Sequence, residues 1–106
     1  MLVTTQDELS DYQITKTLGL VKGNTIRARH IGKDILAALR SMVGGEISEY
    51  TKMIAESREQ ALDRMIGQAQ EMGADGIVCV RYTTTAVLSG SAELFVYGTA
   101  VKLDKK

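Results

Sequence analysis

The stretch SEYTKMIAESREQALDRMIGQAQEM, from Ser48 to Met72, decides how the rest of the chain must be arranged. Tyr50, Ile54, Ala61, Met65, Ala69 and Met72 form one stripe at helical spacing, with Met53, Leu62 and Ile66 beside it and Glu, Lys, Arg and Gln on the other face. At about 1.5 Å per residue this helix is ~35 Å long, about the width of a small domain. Gly73 supplies its stop. A helix with one apolar stripe needs another layer to bury it against, so the flanking segments are read next for strands.

Downstream, Ile77 to Thr85 is rich in β-branched residues and Tyr, and Ala92 to Leu103 carries Leu94, Phe95, Val96, Tyr97, Thr99, Val101 and Leu103. Both are strand compositions, and Ala86 to Ser91, with Ser89-Gly90-Ser91, reads as the hairpin loop between them. Upstream, Tyr12, Ile14, Leu18 and Leu20 take even positions, the period of a half-buried strand that only Lys16 interrupts. Gly23-Asn24 then marks a turn or bend before Thr25 to Arg29, giving either a hairpin or one long strand with a kink. Ile35, Leu36, Leu39, Met42 and Val43 predict a short helix over 34–43, with Asp34 near its start and Gly44-Gly45 at its end. Asp104-Lys105-Lys106 reads as a frayed tail.

The expected fold is therefore α+β: a two-layer β-α-β-β subunit and a single domain over residues 1–106. The last strand lies between the other two in an antiparallel sheet, one long helix crosses one face, and the crossover is right-handed. Strict alternation puts Ile77 and Cys79 on one face and Val78, Val80 and Tyr82 on the other; Phe95, Tyr97, Val101 and Leu103 oppose Leu94, Val96 and Ala100. Both faces are apolar, and one helix covers one face. The second is expected to be closed by sister copies, the alternative being that the short helix and the N-terminal segment fold under the sheet.

Composition bounds the functional classes. With 106 residues, 44% hydrophobic and 25% charged, no Pro and no Trp, the chain is that of a globular domain. No apolar run approaches the ~18 residues of a membrane span, and the acidic start MLVTTQDELSD is unlike a secretory signal, so the cytoplasm is the expected compartment and no membrane partner is expected. Cys79 is the only cysteine, which excludes an internal disulfide. The net charge is zero, but residues 12–43 carry Lys16, Lys22, Arg27, Arg29, Lys33 and Arg40 against Asp34 alone, while 44–75 are acidic. A neutral chain lacks the positive excess of a dedicated nucleic-acid binder, and complementary charge within or between subunits is the expected use.

Several separate motifs carry a family resemblance. Gly19-Leu20-Val21-Lys22-Gly23-Asn24-Thr25, Arg29-His30-Ile31-Gly32-Lys33-Asp34-Ile35, Gly44-Gly45-Glu46-Ile47 with Tyr50-Thr51, Arg58-Glu59-Gln60-Ala61-Leu62 with Arg64-Met65, Gly73-Ala74-Asp75-Gly76-Ile77-Val78 and Tyr97-Gly98-Thr99-Ala100-Val101 together span nearly the whole chain. The sequence resembles the YbjQ-like family of small bacterial proteins, also labelled a heavy-metal-binding domain. The resemblance implies a subunit similar to that of dodecin, assembled as a cyclic homopentamer, and it raises a metal ion as a candidate ligand.

The chemistry in the residues is sparse. A structural zinc site takes four ligands, mostly Cys and His, and one subunit offers only Cys79 and His30; a ring could gather copies of either, or pair His30 with Asp34. The simpler expectation is that Cys79 packs as a small hydrophobe and that His30 bonds locally. Arg81, placed by alternation on the face of Ile77 and Cys79, needs acceptors. Glu59, Glu49, Glu46 and Glu93 are its candidate partners, either as a register-fixing charge pair or around a carboxylate or phosphate ligand in an intersubunit cleft. Arg27, Arg29 and Lys33 are candidate phosphate contacts, with Lys22 and Arg40 near them in sequence. The Gly clusters match neither the dinucleotide nor the phosphate-loop pattern, and no nucleophile and base can be paired, so no catalysis is expected. The leading expectation is a homo-oligomer that binds a small ligand or ion at subunit junctions. A ligand-free structural or protein-interaction ring comes next, then a phosphate-directed enzyme or nucleic-acid accessory factor.

Overall fold

The computed structural model describes residues 1–27, 48–88 and 91–106. The short helix expected over 34–43 lies outside the described residues, as do Arg29, His30, Lys33, Asp34, Arg40 and Glu46. The described chain runs β1 (Leu2–Val3), β2 (Tyr12–Arg27), α1 (Ser48–Glu71), β3 (Gly76–Leu88) and β4 (Ser91–Lys105). The strands form a single sheet in the order β1-β3-β4-β2, so the last strand lies between the two long strands that precede it, as expected.

The sheet is mixed, not wholly antiparallel. β2 and β3 pair antiparallel with β4, whereas β1 adds to the outer edge of β3 in parallel, Leu2 opposite Gly76 and Val3 opposite Ile77. Two apolar residues in an acidic segment give too short a pattern for a strand to be read from sequence. At the other end the tail is paired and not frayed: Lys105 lies opposite Tyr12, and the Lys106 amide donates to the Asp11 carbonyl at 2.9 Å. The β3–β4 hairpin is also tighter than the composition implied, with Leu88 opposite Ser91.

Of the two readings of Gly23-Asn24 the single long strand is the one formed, without a break at these residues. β2 stays in register with β4 from Gly19 to Arg27, and its irregularities fall earlier, between Ile14 and Lys16 and between Thr17 and Gly19. Gly23 is there because α1 crosses the strand at that point: a Cβ would overlap the Ala61 carbonyl and lie 2.7 Å from the Met65 amide nitrogen. The two earlier irregularities break the even-position stripe. Leu18 turns to pack against the core beneath the helix, while Tyr12, Ile14 and Leu20 are exposed.

Under the helix the core is closed. Ala61, Met65 and Ala69 of α1 bury against Val21, Ile77, Val80, Val96 and Ala100, with Leu18, Leu62, Ile66 and Ala74 at the margin. Met65 is fully buried, which stabilises by about 1.5–3 kcal/mol relative to an exposed side chain. Ser57 continues the buried row, and its carbonyl accepts from Thr25 Oγ1 at 3.3 Å. α1 ends at Gly73 (φ +77°), where Ala74 N–H bonds the Ala69 carbonyl and Gly73 N–H the Gln70 carbonyl, the left-handed stop that glycine adopts without penalty. Along the free edge of β2, Gln68 Oε1 accepts from the Lys22 amide at 2.8 Å and Arg64 Nη1 donates to the Asn24 carbonyl, so side chains from α1 occupy backbone groups that would otherwise invite another strand.

β2 and β4 are 16 and 15 residues long, against about 5–6 for an ordinary strand. The subunit is correspondingly elongated, 54 × 25 × 17 Å with a radius of gyration of 17.3 Å, where a compact chain of this length has about 13 Å. No helix among the described residues is long and apolar enough to cross a membrane.

Candidate functional site

Cys79 has φ +57°, a left-handed conformation that costs a non-glycine residue roughly 1–2 kcal/mol. Val78 lies opposite Thr99 and Arg81 opposite Tyr97, so Cys79 and Val80 together face Gly98: β3 carries a bulge. Gly98 has no room for a side chain, since a Cβ would lie 2.7 Å from Ile77 Cγ2 and 3.2 Å from Val80 Cγ2. The extra residue resets the faces. Val80 joins Ile77 beneath the helix, and Cys79 packs with Val78 on the far side, contrary to strict alternation.

The N-terminal segment holds this bulge in place. Thr4 N–H donates to the Ile77 carbonyl at 3.0 Å, Val80 N–H to the Thr4 carbonyl at 3.1 Å and Cys79 N–H to the Gln6 carbonyl at 3.1 Å. The chain then turns over the edge and seats Leu9 against Val78 and Val101, with Cys79 and Leu103 beside them. Of the cover expected from within the chain, the short helix lies outside the described residues, and the N-terminal segment is thus present over one end. Beyond it Leu20 is 65% exposed, Ile14 40%, Tyr12 39% and Tyr97 37%. A shallow pocket of ≈ 160 Å³ lies within this segment, lined by residues from Leu2 to Tyr12.

Arg81 lies on the open face, opposite Ile77 and not beside it, because the bulge precedes it. Its Nη1 donates to the carbonyls of Thr5 (3.0 Å) and Val80 (2.8 Å). It makes no ion pair among the described residues. Glu59 is on the helix, across the sheet from it, and Glu93 accepts from Asn24 Nδ2 at 3.0 Å near the other end of β4. Glu46 lies outside the described residues, and Glu49 is described in its backbone alone. The acceptors sequence reading missed are backbone carbonyls of the N-terminal segment, for which no side-chain pattern gives a signal. The expected Arg81–carboxylate pair is not formed within the described subunit. Instead Lys22, Tyr97 and Arg81 form one row across β2, β4 and β3 on the open face, with Phe95 next to Tyr97 at a ring separation of 5.6 Å.

Of the candidate phosphate contacts, Arg27 ends β2 but only its backbone is described, and Arg29 and Lys33 are outside the described residues. For metal, Cys79 is half-buried under the N-terminal segment, His30 is outside the described residues, and no group of three or more His, Cys, Asp or Glu side chains gathers among the described residues. Within one subunit the described donors do not fit a heavy-metal site, which takes several soft ligands.

A further polar contact ties the two layers. Asp75 Oδ2 accepts from the Leu103 amide at 3.0 Å, and Asp75 Oδ1 lies 3.3 Å from Lys102 Nζ, which also bonds the Gly73 carbonyl at 3.0 Å. The Leu103 amide, against the opposing effect of desolvation and with further help from Lys102, holds the Asp75 carboxyl below its ordinary range. Its position at the helix-to-strand turn makes it a structural clasp.

Residues 1–104 match a family model described as "Putative heavy-metal-binding". The chain is 60% identical over 105 residues to a UPF0145 protein of Methanococcus vannielii, covering 99% of this chain and 100% of that one. It is 52% identical over 103 residues to a UPF0145 protein of Methanosarcina acetivorans (97% of each chain), and 56% identical over 101 residues to one of Dehalococcoides mccartyi (95% and 97%). Among solved structures it is similar to a protein of unknown function from Pediococcus pentosaceus assigned to the DUF74 family, with TM-score 0.64, 19% identity and 98% of each chain covered, a likeness of fold. Sequence motifs, full-length family match and close relatives agree: the chain belongs to the YbjQ family, whose members include the UPF0145 proteins.

Proposed function

We propose that this protein is a homo-oligomeric, non-enzymatic binding protein of the cytoplasm, a closed ring whose sheet faces are covered by sister copies and whose junctions take up a small ligand. The carrying observation is the open face, where Leu20, Ile14, Tyr12 and Tyr97 stay exposed, while on the opposite face α1 buries Val21, Ile77, Val80, Val96 and Ala100 and leaves Tyr82 outside its cover. An apolar β-surface of this kind is a mark of a protein interface. The elongated shape supports the same reading, because long strands under one helix leave more surface than a single subunit shields. Five copies is the number the family resemblance implies.

Arg81 is the residue we assign to the ligand. Nε and Nη2 have no partner among the described residues, and a guanidinium with free donors beside an aromatic ring suits a carboxylate or phosphate better than a cation. A heavy metal would need thiols from several copies, and Leu9 and the N-terminal segment lie over each of them. The test is native mass spectrometry of the wild type beside Leu20→Glu. An assembled wild type, a folded but dissociated variant, and an anionic small molecule retained by the assembly and lost in Arg81→Ala are the expected results. Identical assembly of both proteins would remove the open face from the interface, and retention of zinc or copper in place of an anion would overturn the ligand assignment.

A further inference from the structure

Arg81 is held by one corner of its guanidinium. Nη1 donates to the Thr5 carbonyl at 3.0 Å and to the Val80 carbonyl at 2.8 Å, while Nε and Nη2 have no partner among the described residues. A guanidinium presents its donors as a planar fork, and Nε with Nη2 is a pair that a carboxylate or phosphate can grip with two oxygens. An anion gripped there leaves Nη1 on both carbonyls. The Val80 carbonyl belongs to the preceding residue of β3, but the Thr5 carbonyl belongs to the N-terminal segment, so the aim of the guanidinium depends on where that segment sits.

The segment is lightly fastened. Thr5 to Glu8 are exposed, and of residues 1–11 Leu9 alone is buried. Leu9 joins a cluster with Val78 and Val101, much smaller than the core beneath α1, and a pocket of ≈ 160 Å³ is lined by the segment's own residues. Its ends are tied, by the pairing of Leu2 and Val3 with β3 and by Lys106, whose Nζ donates to the Leu9 carbonyl at 3.0 Å and whose amide donates to the Asp11 carbonyl at 2.9 Å. Between the ends, the Cys79 and Val80 amides donate to the Gln6 and Thr4 carbonyls, each at 3.1 Å. A stretch with one buried side chain and exposed backbone bonds opens at lower free energy than the core it rests on, and opening takes the Thr5 carbonyl away from Arg81.

We infer that the N-terminal segment, seated by Leu9, positions the anion site: closed, it fixes Nη1 of Arg81 and leaves Nε and Nη2 for the ligand; open, it lets the guanidinium go. Leu9 is a positioning residue, acting on the ligand through Thr5 and Arg81. The coupling is reciprocal, so an anion that binds the closed arrangement holds the segment down. The inference rests on the assignment of Arg81 to an anionic ligand and adds what aims it.

The test is hydrogen exchange at the Cys79 and Val80 amides, whose acceptors lie in the segment, beside calorimetric titration with inorganic phosphate at constant ionic strength. It is run on the wild type, Arg81→Gln, Leu9→Asp and Leu9→Met. Without phosphate, the two wild-type amides are expected to be at least about tenfold less protected than those linking β4 to β2, as an independently opening segment requires. Phosphate at about ten times its dissociation constant is expected to slow them about tenfold, and Arg81→Gln is expected to lose both the binding and the slowing. Leu9→Asp is expected to speed the two amides by on the order of a hundredfold and to weaken phosphate about tenfold or more as the competent state is depleted. Its β4 amides stay protected, which separates an unseated segment from a misfolded subunit, and Leu9→Met restores both properties. Arg81-dependent phosphate binding that leaves Cys79 and Val80 exchange unchanged, or that persists at wild-type strength in folded Leu9→Asp, overturns the positioning role and leaves the Arg81 assignment standing. So does exchange of these amides at the rate of the β4 amides. A wild type that does not bind phosphate, or an Arg81→Gln that binds it equally well, overturns the Arg81 assignment and the inference with it.

Discussion

The two faces of the sheet are written with similar residues and end differently. Under α1, Val21, Ile77, Val80, Val96 and Ala100 are almost wholly buried, while on the other side Leu9 covers Val78 and Val101 and the surface beyond is left open through Leu20 and Tyr97. What separates them is cover and not hydrophobicity. A 24-residue helix shades one face; an N-terminal segment folded over one edge shades part of the other. The lesson is that the closed face carries the stability of the subunit and the open face its association, so substitutions on the two sides should separate the properties.

The largest expected effect is on the closed side. Met65→Ala should destabilise the subunit by about 2–5 kcal/mol through the cavity it leaves, and Gly23→Ala by about 3 kcal/mol because strand and helix backbones must part; urea unfolding midpoints measure both. A loss below about 1 kcal/mol at either position would mean that α1 is not clamped on the sheet as described. Next comes the bulge between the two faces. Cys79→Val places a β-branched residue at φ +57° and should cost about 1–3 kcal/mol, while Cys79→Gly relieves the backbone at the expense of packing and should lie within about 1 kcal/mol of the wild type. If Val is tolerated better than Gly, the positive φ is not what shapes β3.

The smallest effect sharpens the account of the turn that joins helix to sheet. Because the Asp75 carboxyl is held below its ordinary value of 3.8, its contribution is present above that value and is lost as pH falls through the lower folded-state value. Wild type should melt above Asp75→Asn at neutral pH, and the gap should close as the solution is acidified below about pH 4. A gap independent of pH would assign the contact to hydrogen bonding alone.

Much of this architecture was legible in the residues. The 3.6-residue stripe from Tyr50 to Met72 and the β-branched runs on either side gave the helix, the long strands and the central place of β4. Irregular residues were not legible, because alternation assumes a strand without bulges. One extra residue at Cys79 moved Val80 and Arg81 to faces opposite those expected, and two irregularities in β2 left only Leu18 of its apolar stripe under the helix. Gly23 looked like a turn because close approach of a helix and a reversal of the chain both favour glycine. The site was less legible still, since the partners of Arg81 are the Thr5 and Val80 carbonyls, and every residue type carries a carbonyl.

The claim on which the functional reading depends is that the open face is closed by other copies. The native mass of the wild type at micromolar concentration tests it most directly. A single species at an integral multiple of 11.5 kDa, five copies by family resemblance, is the expected result. A stable species of one chain's mass, with Leu20 and Tyr97 still open to solvent, would contradict it.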